Sequence, residues 1–129
     1  MVYLLDTMTF VFAFAAPDEL PKKVLKIFDN PQEELLLSTV SLCEIAIKTA
    51  IGKLHLPFDR AREALANLRV TLQEYRESHV EALFALPLFS DHRDPFDRML
   101  IATALAQDLP IITGDKHFRR YRMLKVIWN

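Results

Sequence analysis

His92-Arg93-Asp94-Pro95-Phe96-Asp97-Arg98-Met99-Leu100-Ile101-Ala102-Thr103-Ala104, followed a few residues later by Pro110-Ile111-Ile112-Thr113-Gly114-Asp115, is the stretch on which the fold turns. Asp94 is a good N-cap, Pro95 suits the first helical position, and Asp97 stands where a capping-box acid stands. Acids in a first turn also favour the positive end of the helix dipole. The spacing predicts a helix over 95–107 and then a buried apolar strand over 110–113 that leads to Asp115. Capping alone would account for Asp94, and for Asp97 as well. A chemical role for these acids needs partners from elsewhere in the chain.

Upstream, Val2-Tyr3-Leu4-Leu5 is a run of strand formers that stops at Asp6-Thr7. Residues 9–16 read as an apolar helix closed by Pro17. Residues 20–28 read as an amphipathic helix ended by Asp29-Asn30-Pro31. A strand over 35–37 follows, and Ser38-Thr39 can cap a helix over 40–51 that ends at Gly52. Next come a helix over 59–68, with Ala61, Ala64, Leu65 and Leu68 on one face, and a weak strand over 70–72. A short helix over 78–86 is expected to turn Val80, Leu83 and Phe84 inward. After Asp115, a short basic helix near 116–121 and a last strand over 126–128 complete the chain. Strands alternate with helices and are continuously apolar, which means an α/β fold: a central parallel sheet of about five short strands flanked by helices on both faces. With two glycines, no low-complexity linker and no repeat, residues 1–129 read as a single domain.

Composition excludes several classes. About half of the residues are hydrophobic, as in an ordinary globular chain. The single Cys43 rules out an internal disulfide and paired-cysteine zinc sites, and it is expected beside the core. His55, His79, His92 and His117 are scattered and lack the spacing of zinc ligands. The apolar run at 10–16 is too short to cross a membrane, so the chain is expected to be cytoplasmic. A net charge of −1 gives no global field for nucleic acid, but Lys116, Arg119, Arg120, Arg122 and Lys125 form a local basic strip after Asp115.

In open α/β sheets, sites form beyond the carboxyl ends of the strands. Asp6 follows the first strand directly, and Asp115 lies just beyond the strand at 110–113. Glu44 sits early in the helix after the second strand, and Asp97 in the first turn of the helix that leads to the Asp115 strand. All four are thereby expected at one edge. As local features, Glu44 could be a surface partner of Lys48 and Asp115 a turn residue. Together they would repel, by about 4 kcal/mol for two carboxylates ~4 Å apart at an effective dielectric of ~20. They must then take up protons or bind a cation. Oxygen donors select a hard ion, Mg²⁺ or Mn²⁺, whose chemistry favours attack of water on a phosphodiester.

At these residues the chain resembles PIN-domain proteins, and within that superfamily the VapC-type toxin ribonucleases of type II toxin–antitoxin systems. The resemblance is carried by Leu4-Leu5-Asp6-Thr7, by Ser41-Leu42-Cys43-Glu44-Ile45-Ala46-Ile47-Lys48 with Gly52-Lys53-Leu54, by His92 to Ala102, and by Ile112-Thr113-Gly114-Asp115 with Phe118 and Tyr121. It covers nearly the whole chain and implies a single PIN domain over 1–129. It implies an acidic quartet of Asp6, Glu44, Asp97 and Asp115 around Mg²⁺ or Mn²⁺, with Asp94 as helper or cap and Thr113 hydrogen-bonding within the site. It also implies endoribonuclease activity, a homodimer, and neutralisation by a VapB-like antitoxin whose C-terminal segment enters the acidic groove. The chain departs from its relatives at Met8, Cys43 and Thr103, which bears on substrate contacts more than on metal binding.

RNA must still be held. Lys48, Arg93, Arg98, Lys116, Arg119 and Arg120 are the candidates, through salt-dependent phosphate contacts that carry little sequence information. Thr113 joins them as a site hydroxyl. Three other readings compete with a toxin nuclease. A phosphotransfer protein with Asp6 as nucleophile would want a second acid where Met8 stands. A non-catalytic PIN scaffold that binds a partner protein would not cleave RNA. A housekeeping RNA-processing nuclease would share the chemistry.

Overall fold

The structure is a computed structural model that describes residues 1–129. Five parallel strands form one sheet in the order β3-β2-β1-β4-β5: β1 (Val2–Leu5), β2 (Glu34–Ser38), β3 (Val70–Gln73), β4 (Ile111–Ile112) and β5 (Val126–Ile127). Six helices surround it: α1 (Thr7–Ala15), α2 (Lys22–Asp29), α3 (Thr39–Ala50), α4 (Phe58–Asn67), α5 (Glu77–Ala85) and α6 (Pro95–Gln107). Side chains alternate across the sheet and give it two apolar faces. Tyr3, Leu5, Leu35, Leu37 and Ile112 join one core with Phe10, Val24, Ile45, Ala64 and Leu65. Leu4 and Ile111 join the other with Leu100, Ile101, Ala104 and Phe118. Each central strand is therefore covered on both sides, which is why the strands read as unbroken apolar runs.

The chain lays β2 and β3 to one side of β1, then returns and lays β4 and β5 to the other. The order reverses between β1 and β4, the place where open α/β sheets leave a crevice at their carboxyl edge. Registers of Leu4 with Ile111 and Leu5 with Ile112 put the ends of these two strands level.

Several local features differ from the expectation. The helix expected over 20–28 is α2, which starts at Lys22 and is preceded by a separate 3₁₀ turn, Pro17–Glu19. Pro21 is the N-cap of α2, and with no N–H to donate it ends the preceding turn. α5 is rotated from the expected face. His79 is fully buried and Leu83 packs on the core, whereas Phe84 is 89% exposed and Val80 also faces solvent. The His79 ring fixes this choice, because its Nδ1 accepts the Arg76 N–H at 3.0 Å and draws position 79 inward. Cys43, expected beside the core, is exposed on α3. No helix is long and apolar enough to cross a membrane.

Candidate functional site

Asp6, Glu44, Asp94, Asp97 and Asp115 all line one cleft of about 380 Å³ at the carboxyl edge of the sheet, with Lys48, Glu19, Phe12, Gly114 and Trp128. A larger depression of about 540 Å³, lined by Leu86, Phe89, Leu105, Tyr121 and Met123, contains no carboxylate.

Short-range hydrogen bonds hold the acids in place. Thr113 is the pivot: its hydroxyl donates to Asp6 Oδ2 at 2.8 Å and accepts the Asp115 N–H at 3.1 Å. The two strand-end acids are thus tied through one buried oxygen, although 109 positions separate them in the chain. Thr9 Oγ1 donates to the Ile112 carbonyl at 2.9 Å and clamps α1 to β4. Thr7 Oγ1 donates to Ser41 Oγ at 2.8 Å and clamps α1 to α3, the helix that carries Glu44. Ser38 caps α3 by accepting the Val40 N–H, and Ser41, Glu44 and Ile45 form its buried face.

Glu44 is only 4% exposed, so its partnership with Lys48 is not a surface pair. Lys48 Nζ reaches Glu44 Oε2 at 2.6 Å, while Glu44 Oε1 is buried with no hydrogen-bond partner. Asp94 behaves as the sequence suggests: it caps α6 by accepting the Asp97 N–H at 3.0 Å, with Pro95 next. The Asp97 side chain does not complete a capping box. Its Oδ2 lies 3.1 Å from His92 Nε2, and His92 Nδ1 lies 2.9 Å from the Tyr121 hydroxyl. Asp115 Oδ1 accepts the His117 N–H at 2.9 Å and lies 2.9 Å from His117 Nδ1. The His92 and His117 rings stack at 5.5 Å with planes 2° apart. One donor atom each from His92, Asp97 and Asp115 lie within 4.8 Å of one another.

The sequence profile of the PIN domain matches residues 3–124. The chain belongs to the PIN-domain family. No curated protein matches it at sequence level. Among solved structures, this PIN domain is similar to VapBC2 from Rickettsia felis bound to a DNA fragment from their promoter, with a TM-score of 0.70 at 16% identity over 100% of both chains. It is also similar to DNA-bound VapBC from Salmonella typhimurium, with a TM-score of 0.66 at 17% identity over 98% of this chain and 97% of that one. FitAcB from Neisseria gonorrhoeae gives a TM-score of 0.64 at 20% identity, over 100% of this chain and 97% of that one. At such identities the likeness shows the fold.

The electrostatics of this PIN domain follow from crowding acids in a buried place. Burial, reinforced by the charges of Asp6, Asp94, Asp115 and Glu44, pushes the Asp97 carboxyl up to about 8. Burial also raises Asp6 to about 6; the Thr113 hydrogen bond opposes this and Glu44 adds to it. The hydrogen bond to Glu44 holds the Lys48 ammonium above its ordinary value. Burial lowers His92, against the pull of the Asp115 and Asp94 charges.

Of the expected RNA contacts, Lys48 lines the cleft and Thr113 is buried behind it, against Asp6. Arg93, Lys116 and Arg119 are exposed. Arg98 is committed to main chain, donating to the Pro87 and Leu86 carbonyls, and Arg120 pairs with Asp91 and covers the Phe89 ring. The histidines lack zinc-ligand spacing in the sequence, yet two of them touch site acids. The usable signal was local: His92 stands five residues before Asp97, and His117 two after Asp115.

Proposed function

We propose that this PIN domain, read as one unit over 1–129, is a divalent-cation-dependent endoribonuclease of the VapC toxin type, restrained by a VapB-like antitoxin. The observation that carries the reading is the convergence of Asp6, Glu44, Asp97 and Asp115 on one cleft, where Glu44 Oε1 is buried and unpartnered. A buried carboxylate oxygen without a donor is costly, and a cation removes that cost. The residues fit a hard ion: carboxylate oxygens without thiolate suit Mg²⁺ or Mn²⁺. When bound, such an ion supplies Lewis acidity, lowering the pKa of water and neutralising charge that builds on a phosphate.

The chain's own groups supply the rest. Thr113 orients Asp6 through its Oδ2 and Asp115 through its N–H, so the two strand-end acids keep a fixed relation. Lys48 neutralises one Glu44 oxygen and leaves a permanent cation on the cleft wall, placed to take a phosphate oxygen. Asp94 sets the entry of α6 and thereby the position of Asp97. Arg93 and Lys116 adjoin His92 and Asp115 in the chain and are exposed, as phosphate contacts require. A homodimer belongs to the same reading; Phe84, Leu88 and Met123 are exposed apolar side chains that association would cover.

The test is cleavage of total cellular RNA by purified, antitoxin-free protein with Mg²⁺ or Mn²⁺ and with EDTA, beside a folded Asp6→Asn variant. Discrete, EDTA-sensitive products that vanish in the variant are expected. Cleavage that persists in the variant would assign the activity elsewhere, and no cleavage by folded protein in either metal would overturn the reading.

A further inference from the structure

We infer that His92 is a nitrogen ligand, and that His92 Nε2, Asp97 and Asp115 form a mixed nitrogen–oxygen subsite that favours a first-row transition ion such as Mn²⁺ over Mg²⁺. The inference rests on the proposed cation-dependent cleft but concerns a residue outside the acidic quartet.

Two independent observations carry it. The first is spacing. Donors at about 2.1 Å from one ion lie roughly 3.0 Å apart on adjacent corners of an octahedron and roughly 4.2 Å apart across it. His92 Nε2 and Asp97 Oδ2 are 3.1 Å apart, the adjacent-corner distance, and the three donor atoms of the subsite all lie within 4.8 Å of one another. The 4.8 Å bound exceeds the across-octahedron distance by about 0.6 Å, so closing on one ion takes side-chain adjustments of that size. The second is support behind the ring. A metal-ligating histidine characteristically donates its other N–H to an oxygen, which fixes the tautomer and the ring plane. His92 Nδ1 has that partner in the Tyr121 hydroxyl at 2.9 Å, with the Tyr121 ring edge-on to the imidazole. The imidazole is 5% exposed and packed between Phe118 and the parallel His117 ring, so Nε2 has one direction available, toward Asp97.

The chemistry sets the ion class. Carboxylates alone discriminate weakly among hard divalent ions, whereas imidazole adds affinity for first-row transition ions and little for Mg²⁺. His117 is not the ligand in this arrangement. Its Nδ1 lies against Asp115 Oδ1, so it orients that carboxylate from outside.

The experiment measures Mn²⁺ and Mg²⁺ binding to the purified full chain by calorimetry, and nitrogen hyperfine coupling in the spin-echo signal of the Mn²⁺-loaded protein. Wild type is expected to show a directly bound imidazole nitrogen. His92→Gln should lose that coupling and about 10–100-fold in Mn²⁺ affinity, while Mg²⁺ affinity stays within about twofold. Tyr121→Phe should keep the coupling and weaken Mn²⁺ by about tenfold, and His117→Asn should keep the coupling. Mn²⁺ bound by wild type without nitrogen coupling overturns the inference and leaves the acidic site standing. Coupling lost in His117→Asn and kept in His92→Gln also overturns it. Absence of any Mn²⁺ binding to folded protein overturns both this inference and the proposed nuclease.

Discussion

Asp97→Asn should stabilise the metal-free protein at alkaline pH while removing its response to cations. In the folded state the Asp97 carboxyl sits near 8 against an ordinary value of 3.8, so the fold holds its proton more tightly than the unfolded chain does. A group raised in this way contributes stability that is fully present below the unfolded value and is lost as pH rises through the folded one. Between pH 5.5 and pH 8 the loss spans two and a half pH units at about 1.4 kcal/mol each, an upper value of about 3 kcal/mol. Asparagine has nearly the same shape, keeps an amide for His92, and cannot ionise. The difference between wild type and variant also cancels the opposite pH dependence of His79, lowered by burial. In EDTA the two proteins should melt within about 2 °C of each other at pH 5, and at pH 8.5 the variant should melt roughly 3–10 °C higher. Millimolar Mn²⁺ should raise wild type and leave the variant nearly unmoved. Differential scanning calorimetry across this grid is the assay. A wild-type melting temperature equal to or above that of the variant at pH 8.5 in EDTA would refute the claim that the cleft is strained by its own charge.

Cation affinity should rise about tenfold per pH unit between pH 6 and pH 8, where Asp97 alone must release a proton, then level off; below 6 the slope should steepen as Asp6 joins, which titrations at four pH values would show. Thr113→Val removes the donor to Asp6 and the acceptor for the Asp115 N–H, and should cost about 1–3 kcal/mol in urea unfolding. Lys48→Met leaves Glu44 buried without its cation and should cost about 1–3 kcal/mol, largely restored by Mn²⁺, as denaturation with and without the ion would measure. At Gly114 an added Cβ would lie 2.7 Å from Trp128 Cζ2, so Gly114→Ala must push the indole off the cleft rim and shift the fluorescence of the single tryptophan.

Much of this was legible in the sequence because the signals were local and mutually consistent. The helix at 95–107 has the limits that its cap, its proline and its apolar run dictate, and Asp6 and Asp115 stand at strand ends because the strands stop there. Apolar β1 and β4 announced a sheet covered on both faces. What escaped depends on tertiary distance. His92 meets Tyr121 across 29 residues, and no spacing rule describes the proposed subsite, drawn from a loop, a helix start and a turn. On α5 a histidine takes the inward position that hydrophobicity assigns to Phe84. The buried face of α3 includes a serine and a glutamate beside Val40 and Ile45, while Cys43 faces solvent.

The central place of β1 has a consequence for the chain as it is made. β1 precedes the other strands and can pair with β2 early, but its other edge stays bare until Ile111 and Ile112 arrive, more than a hundred residues later. Contacts so distant in sequence close late in folding. Asp6 has no Thr113 to hold it, and the cleft no far wall, while synthesis is under way. A chain that has not yet reached β4 thus carries three of the four acids, Asp6, Glu44 and Asp97, and no closed site, and the proposed nuclease becomes competent only once β4 has paired with β1.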